Sequence, residues 1–535
     1  MVRLRDRLTG EASLLHAAIV LGLVALVVYS GYVKDGPFLM DDWSNSALTQ
    51  YPGDQSAISA AWDLSYYRPV LPLYVPVTHW LFGESAALHI AYAIALATGA
   101  SLALVQVLRL EGLRTWHAIA IGVLALLFPA SDSTRLWATA SMAHFAILVA
   151  LLGLLAAIRG ARLTAEGKPD GRRWHALAVT LYLMSILGYE VGAPVIALFG
   201  LLYLRRMRSR EALLRWGADL IAIAASLLWI GTKTPREISS GGALFDHFDR
   251  MLDEGLTVIA SFTLPLGEAS RNTILWSSLL LVAAGLVVWR ALPRDDESRA
   301  RLGGWLGMVA VGVVLTAAGW AMFIPADPVY SPGSQGLLNR TNAVAGIGVV
   351  TLVYALLGVL GTLVFRGLPR GRMLAGLTTL ALGALLANSY AQDVGDDISR
   401  YIAAGHEEDR ILGVIARTVP AGARDATIYT TGHPGYEALG IPIFTATWDL
   451  DGAVKVRYDR PDWRAVPITE GVALACTREG VFPDGSGGGP TFGAAYGKAW
   501  LVDVVAGKAT QLTSQARCEA VAKALAPPPL IKPSA

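Results

Sequence analysis

The chain has 535 residues, 54% of them hydrophobic and only 16% charged, with a mean hydropathy of +0.47. A soluble protein carries about 25% charged residues, and it has no use for repeated apolar runs of about 18 residues. The formal net charge of +2 offers no bulk attraction for nucleic acid, so the composition points to a multi-pass membrane protein with no nucleic-acid partner.

In chain order, Met1–Gly10 carries Arg3, Arg5 and Arg7 ahead of the apolar run Leu14–Ser30. That run is long for a signal peptide and no small-residue cleavage site follows it, so an uncleaved first span is expected. Eleven spans are expected in all, near 13–33, 86–108, 116–131, 139–158, 175–189, 191–204, 217–232, 273–290, 304–323, 343–365 and 374–390. The fifth and sixth are short and meet at a tight corner, Tyr189-Glu190. Between the first and second spans, Pro72 to Phe82 is apolar, but its prolines interrupt a continuous spanning helix, so it reads as an interfacial or re-entrant element. The N-terminus and loops 109–115, 159–173, 204–216, 290–301 and 366–372 hold 22 Lys and Arg, against 8 in the opposite set. By the positive-inside rule the N-terminus is then cytoplasmic, and an odd number of spans leaves the C-terminal residues outside.

The expected architecture is therefore an α-helical membrane domain, 1–390, followed by a small extracytoplasmic α/β domain, 391–535. In the latter, 391–419 reads as a helix with a charged stretch Glu407-Glu408-Asp409-Arg410 and a stop at Pro420. Runs such as Thr427-Ile428-Tyr429-Thr430 and Trp500 to Val505 read as strands, Gly485 to Gly489 as a turn, and Pro527 to Ala535 as an extended tail. The domain shows no metal-ligand or nucleophile motif and reads as a lid or an acceptor-docking module. The two cysteines, Cys476 and Cys518, both lie in this exported part, where oxidising conditions favour a disulfide.

Chemistry is expected at the outer ends of the spans, where charged residues are costly beside lipid and tend to mark function. Asp41 and Asp42, in Phe38-Leu39-Met40-Asp41-Asp42-Trp43, form an adjacent carboxylate pair that could act as a general base or bind a divalent cation. Arg68, in Tyr67-Arg68-Pro69-Val70, could clamp a phosphate at headgroup depth. His144, in the outer part of the fourth span, reads as a packed, hydrogen-bonded residue rather than a ligand.

This pattern resembles the GT-C superfamily of integral-membrane glycosyltransferases, and more narrowly its TMTC-type and related bacterial branch. The resemblance rests on Asp41-Asp42-Trp43 after the first span, on Tyr67-Arg68-Pro69-Val70, and on Leu81-Phe82-Gly83 and Leu88-His89 at the second span. It extends to Phe128 through Trp137, where Pro129 and Trp137 match but Ser133 stands in place of the family's Glu and Asp132 lies one position early. Leu187-Gly188-Tyr189-Glu190 keeps the family's Glu but not its Lys, and Leu338-Asn339-Arg340 is similar to the Arg that meets the lipid phosphate.

The resemblance implies transfer of a sugar from a polyprenyl-phosphate donor to a glycan, lipid or protein acceptor of the cell envelope, on the outer face, with inversion. It implies Asp41 or Asp42 as the base, the two not being separable, and Arg68 and Arg340 as donor-phosphate residues. Tyr67, Asp132 and Glu190 would orient the acceptor or hold a cation. A transporter or flippase of lipid-linked glycans is the competing class, and it would show internal repeats and mid-bilayer ionisable residues.

Overall fold

The computed structural model describes residues 2–233, 241–263, 296–326, 330–333, 335–366, 368, 370–469, 472–485 and 493–525. Helices coincide with ten of the eleven expected spans. The segment expected at 273–290 lies outside the described residues, as do the tail Pro527 to Ala535 and all but the first residue of the Gly485 to Gly489 turn. Among the described residues, seven helices are long and apolar enough to cross a membrane: 14–35, 86–110, 141–165, 209–233, 299–321, 345–364 and the apolar part of 371–418. The expected third and sixth spans are shorter apolar helical segments, 115–127 and 190–204. The fifth, Gly171–Gly188, begins with Arg172 and Arg173. The expected last span and the helix beyond it form one helix, Gly371–Thr418, of 48 residues. At 1.5 Å per residue it is about 70 Å long, more than twice a bilayer core. Its first 21 residues hold one charge, Arg372, whereas charged residues recur from Asp393 onward, so only the first part suits lipid. A further helix, Gly241–Thr263, occupies a region read as loop.

The chain divides into two compact units. One holds Met1–Ser30, Ala93–Arg135 and Ala140–Gly395; the other holds Gly31–Tyr92, Leu136–Thr139 and Asp396–Ala535. The connection after the first span, with the short strip 136–139, packs with the C-terminal residues, a grouping that no sequence pattern announces.

In the first unit, helices 296–321 and 345–364 approach until backbone meets backbone. A Cβ on Gly348 would lie 2.3 Å from the Thr316 amide nitrogen, and one on Gly312 would lie 2.6 Å from that of Leu352. Apolar surface gives helices little reason to associate within lipid, so small residues that permit such packing carry the contact.

The second unit contains helices α2 (Asp41–Gln50), α3 (Ala57–Ser65) and α4 (Leu71–Phe82), which pack against one another. Label α1 denotes the preceding helix, Val2–Asp35. The unit's main sheet has the order β4 (Arg464–Pro467), β1 (Thr427–Thr431), β7 (Ala499–Asp503), β8 (Lys508–Leu512). Strands β4 and β7 run parallel to β1, while β8 is antiparallel to β7. Every residue of β1 is buried, as a central strand covered on both faces requires. Two small antiparallel pairs are also present among the described residues: β2 (Tyr436–Ala438) with β3 (Ile441–Pro442), and β5 (Val472–Cys476) with β6 (Val481–Gly485). A disulfide joins Cys476 on β5 to Cys518 in helix Gln515–Ala522, and Cys518 is buried in the core with Tyr429, Val466 and Leu501.

Candidate active site

The acidic pair follows a tight exit from α1. A Cβ on Gly36 would lie 2.6 Å from the Tyr32 carbonyl oxygen and 2.7 Å from Ile90 Cδ1, so this turn needs glycine. Four residues on, Met40 adopts φ 50 and ψ −121, a conformation that non-glycine residues hold only under strain of about 1–3 kcal/mol. Met40 is the residue before α2, and Asp41 and Asp42 form its first turn. The exposed N–H groups at the positive end of a helix favour negative charge there.

The two carboxylates have different surroundings. Asp42 is buried, and donors saturate it: Leu39 N–H donates to Oδ2 at 3.1 Å, and the Thr139 N–H and hydroxyl donate to Oδ1 at 2.7 and 2.6 Å. Asn45 Nδ2 also donates to the Thr139 hydroxyl, and Trp137 Nε1–H donates to the Leu39 carbonyl at 3.0 Å. Asp42 thus bonds the strip 136–139 to the loop before α2, and Trp137 has a structural task beside it. Asp41 is half-buried, and its Oδ1 accepts a 2.9 Å hydrogen bond from Trp448 Nε1.

Trp448 is in the first turn of helix Thr447–Tyr458, which lies alongside α2 and parallel to it. Trp448 meets Asp41 at one end of the pair, and the Tyr51 hydroxyl donates to Asp459 Oδ1 at the other, at 2.7 Å. Gly452 permits the approach: a Cβ there would lie 2.6 Å from the Trp43 carbonyl carbon and 2.7 Å from the Ser44 nitrogen. Both helices therefore direct their positive ends the same way, toward a group of four acids. Asp449 is in the first turn of the second helix. Glu408 comes from the helix Gly371–Thr418, beyond its apolar part, and its Oε2 accepts a 3.0 Å hydrogen bond from Trp43 Nε1.

Burial dominates the protonation of this group. It raises Asp42 from 3.8 to about 7, despite the Thr139 and Leu39 hydrogen bonds that oppose the change; the Asp41 charge adds to the rise. Glu408 is held well above the ordinary carboxylate range by burial and then by the Asp449 charge. Asp449 is raised by burial and by the charges of Asp41 and Asp42. Among the described residues, neither oxygen of Asp449 nor Oε1 of Glu408 meets a donor in good geometry, and the Met40 and Phe444 amides give only weak support. The arrangement shifts Glu408 and Asp449 toward the protonated form. It leaves Asp41 as the partly open carboxyl, oriented by an indole N–H.

Tyr67 and Arg68 lie in the same unit, in the turn between α3 and α4, with the Arg68 guanidinium 5.3 Å from the centre of the Tyr67 ring. Helix α4 exposes Leu73, Val77, Trp80 and Leu81, an apolar face as expected of an element lying in a membrane interface. The other named residues belong to the first unit. Asp132 is buried, and its Oδ1 accepts a 2.7 Å hydrogen bond from Asn339 Nδ2, next in sequence to Arg340. The Arg340 guanidinium lies 5.3 Å from the Tyr330 ring centre, and Glu190 is half-buried at the start of a short 3-10 turn. The buried His144 shares a 2.8 Å hydrogen bond with the Thr134 hydroxyl.

Glu408, Asp449, Trp43 and Trp448 were not identified as site residues from the sequence. Glu408 did carry a signal. Tyr401, Ala404, Ile411, Leu412 and Ile415 mark one buried stripe of the helix, and Glu408 falls on it at helical spacing. Among the described residues, no group of three or more His, Cys, Asp or Glu is arranged to hold a metal ion. No protein-family profile matches the chain, and no curated protein matches it in sequence.

Proposed function

We propose that the chain is an integral-membrane glycosyltransferase that moves a sugar from a polyprenyl-phosphate donor to a hydroxyl-bearing glycan, lipid or protein acceptor, with Asp41 as the general base. The observation that carries this reading is the division of labour between the two adjacent carboxylates. Asp42 is buried and spent on three hydrogen bonds, whereas Asp41 is partly open and oriented by Trp448. Asp41 accepts the acceptor hydroxyl proton as the hydroxyl oxygen bonds to the sugar C1. The bond from C1 to the phosphate oxygen breaks, its electron pair leaves with the polyprenyl phosphate, and C1 inverts. Phosphate is a good leaving group, so one base suffices where glycoside hydrolysis needs two carboxyls. General-base assistance contributes about 10²–10⁴ in rate.

Arg68 is proposed to hold the donor phosphate. Its place beside α4, whose exposed apolar face suits headgroup depth, supports that role. The proposal includes eleven spans, a cytoplasmic N-terminus and an outward-facing C-terminal part. The test is a screen of the purified full chain with radiolabelled polyprenyl-phosphate sugars, with a cell-envelope extract supplying the glycan, lipid and protein acceptors. Label is expected to leave the lipid with the wild-type chain and to remain on it with Asp41→Asn. Retention of label with every donor and wild-type chain would reject the reading.

A further inference from the structure

Another set of buried polar groups lies in the first unit and has no part in the proposed transfer. Asp219 is on helix Ser209–Lys233, which is long and apolar enough to cross a membrane. It stands one turn past Arg215, where the uncharged stretch Leu220 to Thr232 begins, and is 1% exposed. The Tyr203 hydroxyl, on helix Leu201–Leu204, donates to its Oδ2 at 2.7 Å. Its Oδ1 lies 3.6 Å from Nε2 of His175, on helix Gly171–Gly188. Among the described residues, neither Oδ1 nor either ring nitrogen of His175 takes part in a hydrogen bond. Three helices therefore meet at one carboxyl. Tyr182, on the helix of His175, faces Tyr203 and Asp219. Arg215 faces both members of the pair, but its guanidinium donates to the Thr164 hydroxyl and to the Gly171 carbonyl. Glu211 and Arg172 face Arg215 in turn.

We infer that His175 and Asp219 form a proton-binding site among the helices of the first unit, with one exchangeable proton held between Nε2 and Oδ1. A carboxyl and an imidazole that are both removed from water are costly, and a shared proton lets each satisfy the other. A closure of about 0.5 Å brings the two atoms within hydrogen-bond range. The His175 side chain is 14% exposed whereas that of Asp219 is sealed, so the imidazole is the group through which protons arrive from water. It sits one turn into its helix, after the exposed connection 165–170. A metal ion is a poorer occupant, because the site offers one imidazole and one carboxyl. No group of three or more such ligands is present among the described residues. This inference does not depend on the proposed transferase activity and uses none of its residues.

The test uses the full chain in detergent with isotope-labelled histidine, its imidazole resonances followed by NMR between about pH 8 and 5, where imidazole ordinarily titrates. His175→Gln assigns the resonance by removing it. In the wild-type chain that resonance is expected to titrate within this range, and a resonance that stays constant overturns the inference. Asp219→Asn is expected to weaken proton binding at His175 about tenfold, which moves the midpoint by about one pH unit. An unchanged midpoint overturns the inference. The charge-matched control Asp170→Asn, in the exposed connection, is expected to leave the midpoint where it is. An equal shift in both variants overturns the inference as well. Tyr203→Phe keeps both members of the pair and serves where Asp219→Asn does not fold. Loss of the hydroxyl that donates to Oδ2 should move the midpoint, and no movement overturns the site. The wild-type titration is repeated with sodium in place of a large organic cation, and the same midpoint is expected. A midpoint that depends on sodium would assign the carboxyl to a metal cation and overturn the proton site.

Discussion

Raising the pH from 5 to 8 is expected to loosen the unit that carries the acid cluster. Asp42 has an ordinary value of 3.8 and is raised to about 7 by burial. A carboxyl raised in the folded state binds its proton more tightly there than in the unfolded chain. The stability it contributes is fully present below 3.8 and is lost as the pH climbs to about 7. Each unit corresponds to about 1.4 kcal/mol, so the two units between pH 5 and 7 amount to about 3 kcal/mol for this residue, as an upper figure. Glu408 and Asp449 are shifted in the same direction and add to the slope. For a unit of about 200 residues, 3 kcal/mol corresponds to a fall in Tm on the order of 5–10 °C. The assay is thermal unfolding of the purified chain in detergent, followed by tryptophan fluorescence at pH 5, 6, 7 and 8. Asp449→Asn, which removes one buried titrating group, should make the dependence shallower and raise the Tm at pH 8 but not at pH 5. A Tm that is flat or rises with pH, or an Asp449→Asn chain with the wild-type slope, would refute the argument that burial governs these acids.

Other substitutions probe the way the unit is held. Gly452→Ala drives a Cβ into the Trp43 and Ser44 backbone, so it should cost about 1–3 kcal/mol and reduce transfer by pulling Trp448 from Asp41. Trp448→Phe, which keeps the ring but not the N–H, should reduce transfer while leaving Tm within a few degrees of wild type; full activity would dissociate Trp448 from the base. Cys518→Ser opens a crosslink between residues 42 apart in sequence, which chain entropy values at about 4 kcal/mol, and a lower Tm under non-reducing conditions checks it. The family resemblance gives Arg340 a donor-phosphate role, so Arg340→Ala should raise the donor KM with a smaller effect on kcat; an unchanged KM argues against that role.

The membrane helices were legible because long apolar runs need no partner to reveal themselves. Helix Gly241–Thr263 escaped because Asp246, Asp249, Asp253 and Glu254 break its apolar run, and a charged amphipathic helix reads as a loop between spans. The strands around Ile428 and Leu501 were visible from their β-branched and aromatic runs, and the cysteine pairing followed from there being two cysteines in one part expected to be exported. Asp41 and Asp42 were visible as a pair but not separable. What distinguishes them is Thr139, 97 residues from Asp42, and Trp448, 407 residues from Asp41. Neither distance carries a sequence period. Asp449 has no local sign of its burial, because its surroundings come from α2 and the Met40 turn. Met40's positive φ was equally hidden, since a methionine in a sequence does not advertise strain.

The account turns on Asp41 as the proton acceptor, and one comparison tests it most directly. Purified wild-type chain, Asp41→Asn and the double variant Asp41→Asn with Asp449→Asn would be assayed for release of labelled sugar from polyprenyl phosphate, each checked for an intact Cys476–Cys518 disulfide. The account predicts a fall of about 10²–10⁴ in rate for both variants with donor binding retained. Wild-type rates in Asp41→Asn would contradict it.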